Sequence, residues 1–372
     1  MIPKTPRGFR DVLPTEAAWR RSTSDAVCRQ FELWGYEPIE TPAVELAAVL
    51  DEARSLDNTA AQFTTSAEAP FRFFDSDSNL VVLRPDVTIP VARLTATRLA
   101  DRPGPFRFYY REPVFTERAS TYGQERQFTQ LGIEFIGRGG YIADAEVLCV
   151  CMEALSAAGV RDYTVAIGTV GVLNALVGAA CDDAAWRDRV LRAFHKSDMV
   201  AVDALSREDG VKPAYGDAIA RLARLRGGAE AFEACRALCE PLGCVDGLDD
   251  LERTYELVIA NTDAGKLIVD FSIVSSFDYY TGLVFKAYAP QVPASLVSGG
   301  RYDTTLAAFG RNEPAAGFAI GLERVLAAIE AQGATPPESG AQETLCGDDP
   351  YELFARAAEL RAQGVRVELG GE

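Results

Sequence analysis

A chain of 372 residues with 48% hydrophobic and 24% charged residues has the composition of an ordinary folded protein rather than of a disordered or fibrous one. No apolar run approaches the ~20 residues that a membrane-crossing helix needs, and the opening MIPKTPRGFRDVLP has early charge with no apolar stretch behind it. A secretory leader is therefore not expected and a cytoplasmic location is. The net charge of -17 disfavours nucleic acid as a partner, because it repels phosphate unless the basic groups are gathered on one face.

In chain order, EAAWRRSTSDAVCRQFELWG reads as an amphipathic helix, with Trp19, Val27, Phe31 and Trp34 near helical spacing and Gly35 as its stop. YEPIETPAVE is extended. FRFFDSDSNLVVLRPDVTIPVA reads as a hairpin turning at Asp75 to Asn79 and leading into a helix near Thr88. FRFYYREPVFTE and RQFTQLGIEFIG are two strands around a polar loop, which predicts an antiparallel sheet. From Ala143 a helix leads to the strand DYTVAIG, and residues 172–262 then turn almost wholly helical in pattern, as an insertion would. Strands return in KLIVDFSIVSSFDYYTGLVFKAYAP, where the runs on either side of Asp278, Tyr279 and Tyr280 read as a strand pair joined through Thr281-Gly282. VSGGRYDTTLAAFG and the helix GLERVLAAIEAQG follow. TPPESGAQETLCGDDP has the composition of a linker, and YELFARAAELRAQGVRVEL is one helix and one strand. The expected division is a core over 1–331 with its insertion at about 172–262, a linker at 332–349, and a short α/β remnant at 350–372.

Eight cysteines form no disulfide framework. Cys235 and Cys239 stand four apart on one helix face near Cys244, with no second half-site, so a structural role is read and no metal. Chemistry gathers elsewhere. In QFTQLGIEFIG the strand period of two puts Gln130, Gly132 and Glu134 on one face and Leu131, Ile133 and Phe135 on the other. A residue without a side chain between an amide and a carboxyl leaves room for a closely approached ligand, although from that strand alone a solvated face is the better reading. LRPDVT, with Asp86 and Thr88, and SGGRYD, with a glycine pair before Arg301, add polar groups from separate elements.

In order and spacing these segments resemble the catalytic core of the histidyl-tRNA synthetase family. PRGFRDVLP with ELWGYEPIETPAVE is similar to its dimer-forming first motif, LRPDVT to its amino-acid-binding Arg-Pro-Glu-x-Thr segment, and FTERASTYGQERQFTQLGIE to the second class II motif. FDYYTGLVF and SGGRYD resemble the histidine-specific segments, and GFAIGLER, ending in Arg324, the third motif. The resemblance spans about residues 1–331. It implies an α+β fold, a class II synthetase-like antiparallel sheet flanked by helices, with a helical insertion and a truncated C-terminal α/β remnant.

The departures from that pattern direct the function. The arginine that follows phenylalanine in the family's Phe-Arg-x-Glu-Arg segment, implied to grip the ATP phosphate, is Thr116 here. The family's Arg-Gly-Leu ahead of Asp-Tyr-Tyr is Ser275-Ser276-Phe277. Nucleotidyl transfer depends on fixed cations, and one preorganised donor is worth about two to three powers of ten in rate. About twenty residues remain where the synthetase's anticodon-binding domain is expected. With these losses the chain looks like the regulatory subunits of ATP phosphoribosyltransferase, non-catalytic relatives that work with a short catalytic subunit in the first step of histidine biosynthesis and carry feedback inhibition by histidine.

This likeness implies a histidine pocket of Asp86, Thr88, Gln130, Glu134, Tyr279, Tyr280, Arg301 and Tyr302, with Arg126 and Arg324 as nucleotide or phosphate contacts. It also implies a homodimer within a hetero-oligomer, no cofactor and no nucleic acid. Asp86 stands where the family has glutamate, one methylene shorter, so its ammonium contact is altered or relayed through water. A histidyl-tRNA synthetase with its missing parts replaced, and a histidine sensor acting on another partner, are the alternatives.

Overall fold

The computed structural model describes residues 4–55, 70–117, 125–273 and 280–370. The chain divides into two compact units, Met1–Arg10 with Thr23–Ala334, and Asp11–Ser22 with Thr335–Glu372.

Helix α1 (Pro14–Leu33) is the expected amphipathic helix: Trp19, Val27 and Phe31 are buried. Gly35 leaves it at φ +78°, where any Cβ would be strained. Strand β1 (Glu37–Pro38), strand β2 (Val44–Leu46) and helix α2 (Ala47–Ser55) follow, then the hairpin of β3 (Arg72–Phe74) and β4 (Leu80–Leu83). Its turn falls at Asp75 to Asn79 as read, because Asp75 Oδ1 accepts from the backbone N–H groups of Asp77 at 2.9 Å and Asn79 at 2.8 Å. Strands β2, β4 and β3 form a small antiparallel sheet in that order, and α3 (Thr88–Arg98) begins where the sequence places it.

The main sheet starts with β5 (Phe106–Phe115) and β6 (Gln127–Ile136), an antiparallel pair in register along its whole length. Helix α4 (Tyr141–Ala157) leads to β7 (Thr164–Thr169). The helical stretch comprises α5 (Val170–Ala180), α6 (Ala184–His195), α7 (Met199–Leu205) and α8 (Pro213–Leu222), then strand β8 (Arg226–Gly227), α9 (Glu230–Cys239) and α10 (Leu248–Asn261). Side chains of Thr169, Asp183 and Asp198 accept backbone N–H bonds at the starts of α5, α6 and α7. Cys235, Cys239 and Cys244 are buried. Strands β9 (Leu267–Asp270), β10 (Leu283–Tyr288), β11 (Val297–Arg301) and β12 (Ala315–Gly321) and helix α11 (Leu322–Ala331) complete the first unit.

Among the described residues the main sheet has nine strands in the order β1-β5-β6-β12-β11-β10-β7-β9-β8. The sheet is mixed rather than purely antiparallel, since β1 runs parallel to β5 and β7 parallel to β9. The helical insertion explains the second case: a parallel neighbour needs a long crossover, and α5 to α10 carry the chain from the end of β7 back to the start of β9. The insertion is also not wholly helical, because β8 pairs onto β9. A second correction concerns the Asp-Tyr-Tyr stretch. Strands β9 and β10 do not pair with each other, since β7 lies between them.

The second unit corrects the linker. Residues 335–350 contain β13 (Glu343–Leu345), which pairs in parallel with β14 (Val367–Leu369) across the helix α12 (Pro350–Ala362). Asp349 caps α12 by accepting from the Tyr351 N–H at 2.8 Å, with Pro350 at the first helical position. No helix of the described residues is long and apolar enough to cross a membrane.

Candidate functional site

The register of the main sheet assembles the site. On β6 Gln130, Gly132 and Glu134 stand opposite Gly321, Ala319 and Gly317 of β12. On the same face Ser298 of β11 opposes Ala319, Gly300 opposes Gly317, and Lys286 of β10 opposes Ser298. Four strands thus present a floor of small residues, ringed by an amide, a carboxyl, a hydroxyl and an ammonium. Above it lies a cavity of about 290 Å³ whose walls include Asp86, Thr88, Gln130, Tyr280, Tyr302 and Arg324.

Two glycines in this floor are required by neighbouring rings. A Cβ on Gly132 would collide with the Tyr110 hydroxyl, so the space beside Gly132 belongs to Tyr110 from β5 rather than to a ligand. A Cβ on Gly300 would lie 2.6 Å from Tyr280 Cδ1, so the missing side chain there lets the Tyr280 ring lie against the backbone as a cavity wall.

The LRPDVT loop is fixed from behind. Arg84 is buried and donates to the Pro113 carbonyl at 2.9 Å and the Thr41 carbonyl at 2.6 Å, and it pairs with Glu112. Asp86 Oδ1 accepts from the Ile89 N–H at 3.1 Å, which holds the carboxyl at the start of α3. Thr88 Oγ1 donates to Glu134 Oε1 at 2.8 Å, and the Tyr302 hydroxyl donates to Glu134 Oε2.

Glu134 is 1% exposed, which overturns the solvated-face reading of β6. Burial pushes its carboxyl up to about 8, and the charge of Asp86 adds to that while the bonds from Tyr302 and Thr88 oppose it. The group stands behind the cavity wall and acts through Thr88 and Tyr302. Gln130 Oε1 and Ser298 Oγ, both on cavity-lining residues, are buried without a hydrogen-bond partner among the described residues. Buried polar atoms seldom stay unpaired, and an ordered water or a polar ligand would satisfy these two.

Asp86, Thr88, Gln130, Tyr280, Tyr302 and Arg324 are brought to one cavity, with Glu134 bonded to its wall. Arg301 is not among them. It projects from the opposite face of β11, where its guanidinium pairs with Asp144 of α4 at 2.6 Å and Asp303 at 3.1 Å. The alternation in SGGRYD carries that signal: Ser298, Gly300 and Tyr302 share one parity, Gly299 and Arg301 the other. Arg126 also lies off the cavity lining, its guanidinium 5.3 Å from the Phe71 ring centroid. Tyr279, with Asp278 and Ser275, lies outside the described residues. Sequence reasoning missed Ser298 and Lys286 as wall residues. A lone lysine in the apolar strand GLVFKAY was the available signal for the second.

The sheet and its glycine-floored cavity define a class II synthetase-like core of the histidyl type, and the family model for histidyl-tRNA synthetase matches residues 8–325. The solved structure described as an ATP phosphoribosyltransferase regulatory subunit/histidyl-tRNA synthetase from Bacillus halodurans C superposes with a TM-score of 0.87 at 30% identity, covering 99% of this chain and 93% of that one. A histidyl-tRNA synthetase from Nostoc sp. PCC 7120, at 24% identity, shares the fold with a TM-score of 0.81 over 99% of this chain and 86% of its own. Among curated proteins, the ATP phosphoribosyltransferase regulatory subunit of Moorella thermoacetica is 35% identical over 99% of this chain and 92% of its own length. That of Symbiobacterium thermophilum is 37% identical over 98% and 90%. The chain belongs to the ATP phosphoribosyltransferase regulatory subunit family, built on the histidyl-tRNA synthetase core.

Proposed function

We propose that this chain is a non-catalytic regulatory subunit that joins a short ATP phosphoribosyltransferase catalytic subunit in the first step of histidine biosynthesis, and that it senses histidine in the cavity over β6, β12 and β11. The observation that carries the reading is the pair of unpartnered buried atoms, Gln130 Oε1 and Ser298 Oγ, in a cavity that also holds a carboxylate and two phenols. Histidine offers an ammonium, a carboxylate and an imidazole. Asp86 takes the ammonium, Glu134 supports it through Thr88, and Gln130 with Tyr280 positions the polar atoms of the ring or the amine. Arg324, which lines the cavity and donates to the Ser295 carbonyl at 2.7 Å, gives that end a positive charge.

The same core is unsuited to making an adenylate. Thr116 is buried, and its Oγ1 has no partner among the described residues, where the family resemblance places a phosphate-binding arginine. A neutral hydroxyl cannot replace a guanidinium fork. In this reading two copies pair through the α1 region and residues 40–45, inside a larger assembly with the catalytic subunit in the cytoplasm.

Reconstitution tests the whole. Adding this chain to the short catalytic subunit should raise transferase turnover, histidine should then lower it, and light scattering should find a hetero-oligomer. Histidine-dependent pyrophosphate exchange by the chain alone should be absent. Exchange at the rate of a working synthetase, or a catalytic subunit indifferent to the added chain, would sink the reading.

A further inference from the structure

Arg301 and Asp144 are both buried, and they meet behind the sheet, away from the cavity. A buried ion pair is a poor source of stability, because the cost of desolvating two charges cancels most of their attraction. What this pair holds in place is specific. Arg301 donates to both Asp144 oxygens, at 2.6 and 3.3 Å, to Asp303 Oδ1 at 3.1 Å and to the Gly140 carbonyl at 3.4 Å. Its stem lies against Gly282, where a Cβ would stand 3.2 Å from Arg301 Cδ. One guanidinium therefore ties the end of β11 to the first turn of α4 and to the segment that follows Tyr280.

A closed ring of hydrogen bonds runs around Tyr302. The Arg301 carbonyl accepts from the Thr281 N–H at 2.7 Å, Thr281 Oγ1 accepts from the Asp303 N–H at 3.0 Å, and Asp303 Oδ1 returns to the Arg301 guanidinium. Asp303 Oδ1 also takes the Ala315 N–H at 3.2 Å, while the Tyr302 N–H donates to the Ala315 carbonyl at 2.7 Å. The backbone on both sides of Tyr302 is thus pinned, by residues that do not line the cavity. The Tyr302 side chain points the other way. Its ring is buried in the cavity wall and its hydroxyl donates to one Glu134 oxygen, while Thr88 donates to the other.

We propose that Arg301 and Asp144 are positioning residues for the histidine cavity, acting through Tyr302 from the far side of the sheet. The proposal rests on the reading of that cavity as a histidine site. The pair touches no ligand. It fixes the backbone around Tyr302, so that the phenol already meets Glu134 before a ligand arrives. A displaced Tyr302 frees one oxygen of Glu134, the carboxyl turns, and Thr88 at the wall moves with it.

The test combines Arg301→Gln with Asp144→Asn, because removing both charges together leaves neither one buried alone and keeps the net charge unchanged. Calorimetric titration should find histidine bound about five- to tenfold more weakly. In a Tyr302→Phe background the same two changes should move the affinity by less than about twofold, since the route through Tyr302 is already cut. A second readout needs no histidine. The infrared band of the protonated Glu134 carboxyl, assigned by its loss in Glu134→Gln, reports a group that Asp86, Thr88, Tyr110 and Tyr302 face. The bond from Tyr302 favours the ionised carboxyl, so the double variant should titrate at higher pH, with no further shift in the Tyr302→Phe background. Arg301→Lys, which keeps the charge and loses the fork, serves for both readouts if the double variant does not fold. Lowered melting with affinity and carboxyl titration unchanged would make the pair a strut for the fold and overturn the proposal. A loss of affinity that recurs in full in the Tyr302→Phe background would overturn it too. Failure of the unaltered chain to bind histidine counts against the histidine reading alone, and the Glu134 titration then decides whether the pair positions Tyr302.

Discussion

The two faces of the main sheet are built from the same strands and do opposite things. On one, Ile133 and Phe135 of β6 stand with Phe318 of β12 and Phe285 of β10, and Phe31 of α1 closes on them, its ring centroid 5.8 Å from that of Phe318. On the other, the alternate residues of those strands are Gly132, Glu134, Gly317, Ala319 and Lys286. Large side chains on the first face fill the space to the helices and fix the fold. Glycines on the second let Tyr110, Glu134 and Tyr280 lie against the backbone, and these groups shape the cavity beside them. If the cavity binds histidine as proposed, the contrast separates stability from recognition along a single strand, one residue apart.

The largest effect should come from the packed face. Phe135→Ala empties a fully buried ring site against Tyr36 and Arg107, and should cost about 3–5 kcal/mol in denaturant melts with histidine affinity little changed. If affinity falls with stability, the faces are not separable. On the recognition face, Gly317→Ala would drive a Cβ into Glu134 Oε2 and the Ile133 carbonyl. It should cost about 1–3 kcal/mol of stability and also weaken histidine. A smaller change sharpens the comparison further. Tyr280→Phe and Gln130→Ala should each weaken histidine by about five- to a hundred-and-fifty-fold and relieve feedback in the reconstituted complex, with melting curves unmoved. Lowered melting with unchanged affinity would return both residues to the core.

The smallest signal is a proton. The Glu134 carboxyl, pushed up to about 8 by burial, holds a proton in the folded state that the unfolded chain has lost above about 4.5. Folded protein binds more protons in that window, so this group's contribution to stability falls as pH rises from about 4.5 to 8 and then levels off. An ammonium bound near Thr88 would lower that value. Histidine titration near pH 7 should therefore release up to about one proton per site, read from heats in two buffers of different ionisation enthalpy. Glu134→Gln should abolish the release; a release that persists assigns the proton elsewhere.

Period-two alternation made the recognition face of β6 legible, and it held because β6 is a ten-residue strand paired on both sides. The same rule would have placed Arg301 on the far face, where Asp144 neutralises it, but the resemblance grouped SGGRYD as one unit. Pairing was harder to read. β7 enters between β9 and β10 from nearly a hundred residues upstream, and nothing local to Asp-Tyr-Tyr announces it. Strand β13 escaped because three residues among polar neighbours carry no alternation, and only the partner β14 defines it.

The short outer strands of the main sheet have a consequence for crowding. A broad sheet is a template on which any extended chain can add, and long bare edges invite filaments. Here both flanks end in two residues: Glu37 and Pro38 on one side, Arg226 and Gly227 on the other. Each flank carries an exposed charge, and one a proline without a donor. Inward of β1, the neighbouring backbone is already met by the Ile39 N–H on the Tyr109 carbonyl and the Phe115 N–H on the Arg84 carbonyl. An incoming strand finds a bond or two at either margin and a charge to desolvate, so the sheet can grow wide without becoming a seed for its own copies.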